Sequence, residues 1–131
     1  MIGLDTNVLV RYIVQDDAKQ GRAAAALIEK QCTREEPGWI DTIVLCELFW
    51  VLKIAYGYPR DSIAAVIGRL LTVAELRVEE SDLARAALRD YEKANVDFAD
   101  CLIGIRNTQN DCTTTCTFDQ RAARLPYFTS A

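Results

Sequence analysis

The chain has 131 residues, half of them hydrophobic, a net charge of −4 and no histidine. That suits one domain, residues 1–131, with one core, and it excludes a disordered chain or a basic coat protein for nucleic acid. Imidazole bases and His-ligated zinc drop out as well, and no apolar run is long enough to cross a bilayer.

Ile2–Leu4 is a short apolar run ending at Asp5 and reads as a first, buried strand. A helix over Val8–Val14 follows, then an Ala-rich one over Ala18–Gln31. Glu35-Glu36-Pro37-Gly38 is a turn, and Trp39-Ile40 suits a very short strand. Thr42–Tyr56 reads as a long apolar helix stopped by Gly57-Tyr58-Pro59, with Asp61 then capping a helix over Ser62–Leu71. Leu76–Glu79 alternates like a strand, and Ser81 caps a helix to about Ala94. Asp97 opens the next helix, through about Ile105. Cys112–Phe118 is a β-rich run ending at Asp119, before a short helix carrying Arg121 and Arg124. Strands alternating with helices imply an α/β fold: a small parallel sheet flanked by helices on both faces.

Five cysteines, an odd number, with no leader before Met1, favour a reducing cytoplasm. All five then read as small buried hydrophobes, although Cys112 and Cys116 share one strand face and are spaced to pair.

The acids stand out. Glu47 lies in Ile43-Val44-Leu45-Cys46-Glu47-Leu48-Phe49-Trp50-Val51-Leu52, with no base one turn away. A buried carboxylate there needs a partner or a metal, and otherwise this point of the helix touches solvent. Asp5 and Asp119 each end a strand and precede a helix, where open α/β sheets bind ligands and where Asp also serves as a helix cap. Asp97 and Asp100 share a helix start; Asp97 reads as the cap, and on local pattern Asp100 reads as its capping-box partner. Converging carboxylates repel, and a divalent cation relieves them. Oxygen donors without His or Cys suit Mg²⁺ or Mn²⁺, and the matching chemistry is phosphodiester or phosphoryl transfer.

On Met1–Arg11, Glu47–Leu52, Asp97–Ile103 and Thr117–Leu125, in that order and spacing, the sequence resembles the PIN-domain ribonucleases, specifically the VapC-type toxins of toxin–antitoxin pairs. The resemblance covers essentially the whole chain. It implies a sheet of about five parallel strands and Mg²⁺- or Mn²⁺-dependent endoribonuclease activity. It maps an acidic quartet onto Asp5, Glu47, Asp100 and Asp119, and so favours Asp100 over Asp97. It also implies a homodimer and a small inhibitory antitoxin protein. Gln120 departs from the pattern, since a basic residue is common after the last acid.

On this reading Asp5 and Asp100 bind the metal directly, Asp119 directly or through water, and Glu47 orients or deprotonates the attacking water. Thr6, Asn7 and Thr117 hold the acids, while Arg11, Arg121 and Arg124 are candidates for RNA phosphate contacts. The Thr42–Tyr56 helix is apolar almost all round. With Tyr12 or Tyr58 it is expected to expose a patch for the antitoxin or a second copy. A haloacid-dehalogenase-like phosphatase needs a second Asp where Asn7 stands, and it and a phospho-receiver domain need a late Lys; no Lys follows Lys93. An inactive PIN-like interaction module is the remaining alternative.

Overall fold

The computed structural model describes residues 1–131. They divide into two compact units, Met1–Ser81 and Asp82–Ala131.

In the first unit, β1 (Ile2–Gly3), β2 (Gly38–Ile40) and β3 (Leu76–Val78) form a parallel sheet in the order β1-β2-β3. Ile2 pairs with Gly38, and Gly38 with Leu76. Parallel neighbours need crossovers. The first is built from α1 (Thr6–Val14) and α2 (Ala18–Gln31), the second from α3 (Thr42–Ile54) and α4 (Arg60–Leu70). Capping Asp residues start three of these helices. Asp5 accepts from the Thr6 amide, Asp17 from that of Gln20 and Asp41 from that of Val44. Leu9, Ile40, Leu45, Leu48, Leu52, Ile63 and Ile67 are the fully buried side chains of this unit.

The expected cap at Asp61 is displaced. Pro59 is the N-cap of α4, and Asp61 sits in its first turn, accepting from the Ser62 amide. The fixed φ of proline suits a helix entrance, so the chain turns helical two residues early.

In the second unit, α5 (Ser81–Lys93) and α6 (Phe98–Gln109) precede β4 (Thr115–Thr117), a 3₁₀ turn (Ala122–Arg124) and β5 (Phe128–Ser130). β4 and β5 pair in parallel, Thr115 with Phe128 and Thr117 with Ser130. Phe98 packs edge-on to Tyr91, their ring centroids 6.4 Å apart. Gly104 is buried because the ring of Tyr127 lies on it; a Cβ there would collide with that ring. The Tyr127 hydroxyl donates to Asp90 Oδ2 at 2.6 Å. Burial and this carboxylate hold the phenol protonated far above its ordinary range.

All five strands are parallel, as expected, but their hydrogen bonds form sheets of three and two rather than one of five. The cysteine expectation is corrected. All five are free, but only Cys32 and Cys101 are buried, while Cys112 and Cys116 are exposed. Cys112 also precedes β4 instead of sharing it, so the common strand face does not exist. No helix is long and apolar enough to cross a membrane.

Candidate functional site

Each unit carries two of the four singled-out acids. In the first unit Asp5 follows β1, and its Oδ1 accepts from the Thr6 amide at 2.8 Å. The buried Thr6 turns its hydroxyl to Glu47 Oε1, 3.1 Å away. Residue 6 thus ties the end of β1 to the middle of α3. The cap role of Asp5 is real, yet it occupies one carboxylate oxygen only.

Glu47 is exposed, and so is the helix face around it. α3 buries Val44, Leu45, Leu48, Phe49 and Leu52, which leaves Ile43, Glu47, Trp50 and Ile54 on one stripe. The burial penalty expected for Glu47 is therefore absent; the cost falls on Ile43 and Trp50, which are 71% and 66% exposed.

Composition and spacing did not mark two other acids at strand ends. Asp41 follows β2 and caps α3, and Glu79 follows β3 and accepts from the Thr42 amide at 2.9 Å. Both use an oxygen at the start of α3, the plain capping role that Asp5 fills only in part. The alternation of strand and acid in the sequence was the signal that could have found them.

In the second unit Asp97 stands at the N-cap position of α6 but, against expectation, its side chain makes no capping hydrogen bond; Asp100 lies in the first turn. Asp119 follows β4, and its Oδ1 accepts from the amides of Arg121 and Ala122 at 2.8 and 3.0 Å. Burial, then the charges of Asp97 and Asp119, push the Asp100 carboxyl above its usual range. The half-buried Asp100 carboxylate thus feels the charges of Asp97 on its own helix and of Asp119 on a separate segment. The reciprocal bonds of a capping box are not complete here, since the Asp97 side chain makes no cap bond to the first turn of α6.

Thr117 Oγ1 accepts from the Asp119 amide at 3.0 Å, so it fixes that residue's backbone rather than its carboxylate. Arg11 is committed elsewhere. Its guanidinium donates to Gln20 Oε1, Asp16 Oδ1 and the Tyr56 hydroxyl, joining α1, the start of α2 and the end of α3. Arg121 and Arg124 are exposed beside Asp119.

No group of three or more His, Cys, Asp or Glu side chains is drawn into a metal-coordinating arrangement. The donors at hand are all carboxylates. Mg²⁺ is commonly held by one or two carboxylates and keeps several waters, so the mutually repelling pair Asp100 and Asp119 fits such an ion. His-dependent or thiolate metals do not fit.

The expected apolar patch divides in two. The α3 stripe is one part. Tyr12 and Tyr58 belong to the other, a cleft of about 790 Å³ in the first unit that is lined by no α3 residue. Its walls include Ile13, Ile28, Val66 and Leu70, with Glu29, Glu75 and Arg69 as its charged groups.

The chain is similar to a VapC ribonuclease of Aquifex aeolicus (strain VF5), 25% identical over 126 residues, 96% of this chain and 93% of that protein. The family model described as PIN domain matches residues 2–126. That match runs through both units and takes in every acid described above, from Asp5 to Asp119, so the chain belongs to the PIN domain family.

Proposed function

We propose that the protein is a cytoplasmic, Mg²⁺- or Mn²⁺-dependent endoribonuclease, the toxin of a toxin–antitoxin pair, that hydrolyses RNA phosphodiester bonds with Asp5, Glu47, Asp100 and Asp119 as one acidic set in a single PIN domain. The observation that carries this reading is the PIN-domain match over residues 2–126, with similarity to a VapC ribonuclease over 96% of the chain; the burial of Asp100 near the charges of Asp97 and Asp119 supports it, since a cation would offset that penalty. Asp5 and Asp100 are the direct ligands in this proposal, with Asp119 direct or through water. When bound, the ion supplies positive charge against the phosphate oxygens. Thr6 occupies Glu47 Oε1. Oε2 is then the oxygen that orients the attacking water and takes its proton as the new P–O bond forms and the old one breaks. Membership in the PIN family, and Asn7 where a second Asp would be needed, speak against the phosphatase alternative.

The two apolar surfaces are assigned to protein partners. The exposed Trp50 and Ile54, on the C-terminal side of Glu47 along α3, are proposed as the contact with a second copy, since an isologous dimer pairs one patch with itself. The cleft at Tyr12 and Tyr58 is proposed for an amphipathic helix of the antitoxin, with a basic residue of that helix beside Glu29 and Glu75.

The test is cleavage of defined single-stranded RNAs by the purified protein. EDTA is expected to abolish cleavage, and Mg²⁺ or Mn²⁺ to restore it. Full activity in EDTA sinks the metal-dependent reading.

A further inference from the structure

Phe118 is the most exposed large hydrophobic residue of the chain, at 87%. It stands between the last residue of β4 and Asp119. We propose that Phe118 is a base-stacking residue, which holds an unpaired RNA base beside the scissile bond; this rests on the reading of Asp119 as part of an RNA-cleaving site.

Three features of the second unit carry it. First, the ring is held out by a fixed backbone. The Asp119 amide is bonded to Thr117 Oγ1, the Ala123 amide to the Asp119 carbonyl, and the Ala131 amide to the Thr117 carbonyl at 2.8 Å. Exposure here comes from a braced turn, and a ring with few torsions loses little entropy when something stacks on it.

Second, its surroundings are polar. Cys116, Asp119, Gln120 and Arg121 are exposed around it in the chain, and the one other exposed large hydrophobic of this unit is Ile103, at 48%. A protein-docking surface is a contiguous apolar area; a lone ring among polar groups is not. A nucleobase, by contrast, needs one π-face and polar surroundings for its sugar and phosphates. Third, Arg121 and Arg124 follow within six residues and are exposed. An aromatic ring interleaved with cations is the arrangement that tracks single-stranded nucleic acid. Double-helical RNA keeps its bases stacked on each other, so the occupant is an unpaired base in a loop, bulge or single strand.

The experiment is steady-state cleavage, with Mg²⁺, of a single-stranded RNA that the unaltered protein cuts. Phe118→Ala is expected to raise KM about tenfold, and to lower kcat by less than that. Phe118→Trp is expected to restore KM, and its extra indole fluorescence, over that of Trp39 and Trp50, to be quenched by the RNA. Replacing the base next to the cut by an abasic sugar is expected to weaken the unaltered protein but not Phe118→Ala. Equal KM values for the parent and Phe118→Ala overturn the stacking role while leaving the nuclease reading in place. A Phe118→Ala protein with normal KM but altered oligomeric state overturns it in favour of a protein contact. An unaltered protein that cuts no RNA in Mg²⁺ or Mn²⁺ removes the nuclease reading and this inference together.

Discussion

The two units expose apolar surface in opposite ways. In Met1–Ser81 it is gathered: a row of Ile43, Trp50 and Ile54 along α3, interrupted by Glu47, and a cleft walled largely by α1, α2 and α4 residues. In Asp82–Ala131 it is essentially one ring, Phe118, among carboxylates, hydroxyls and arginines. Rows and grooves suit other proteins, whereas an isolated ring among charges suits a base. The acids divide unevenly. Asp5, Glu47 and Asp119 each accept from a neutral donor, whereas burial and the like charges of Asp97 and Asp119 both disfavour the Asp100 carboxylate. Asp100 is where a cation changes most.

The largest expected effect tests that residue. Asp100→Asn should cost more than about 100-fold in RNA cleavage, the upper end of what losing a mere supporting residue of a metal site costs. Asp97→Asn should stay within a few-fold, because the Asp97 side chain makes no capping bond at the start of α6 that the substitution could remove. Equal losses in a side-by-side cleavage assay break the division of roles within α6.

Gly104→Ala probes the packing behind it. The added methyl meets the Tyr127 ring, and overpacking of this kind costs about 1–3 kcal/mol. Denaturant unfolding should show this loss, and Tyr127→Ala should relieve only part of it in a double variant, because the ring of Phe128 also crowds the added methyl. A Gly104→Ala protein as stable as its parent shows that the ring yields without cost.

On the first unit, Trp50→Glu should weaken self-association more than about tenfold, since burying an unpaired carboxylate in an apolar row is costly. Sedimentation at several concentrations measures it. Phe118→Ala should leave self-association alone. If both variants, or neither, shift it, the contrast between the two units does not describe their partners.

Much of this was legible because the signals were local. Helix starts were legible at Asp5 and Asp97, and Ala18–Gln31 matches the helix read from its composition, although its cap Asp17 was not singled out. β5 was missed: three residues after Pro126 are too few for alternation to register, and its strand character comes from pairing with β4. The bonds of Arg11 to Asp16, Gln20 and Tyr56 were not legible, because these partners are 5, 9 and 45 residues away and no spacing rule connects them. The apolar run around Glu47 looked like a buried helix. Burial depends on what is packed against a face, and here nothing within the chain covers the Ile43–Ile54 stripe. The four acids could be singled out by position, but the support of Thr6 for Glu47 reaches across 41 residues and emerged only in three dimensions.

The smallest effect follows from Asp100 and pH. Burial first, then Asp97 and Asp119, raise its folded-state value above the ordinary 3.8. The folded protein therefore holds this proton at pH values where the unfolded chain has released it. In that window folding stability falls as pH rises, and above the folded value the full penalty is in place. Below the ordinary carboxylate range both states are protonated and the penalty vanishes. Metal-free Asp100→Asn should then be slightly more stable than the parent at pH 7, with the difference closing as the pH falls toward 4. The gain should be small, because the carboxyl is only half-buried and solvent screens its neighbours. Mg²⁺ should raise the melting temperature of the parent and not of the variant, because only the parent carries the repulsion that the ion offsets. Paired melting curves at pH 4, 5.5 and 7, with EDTA and with Mg²⁺, give all of these comparisons. A variant less stable than the parent at pH 7 in EDTA would mean that the Asp100 carboxylate is already satisfied by the protein, and that the second unit does not await a cation.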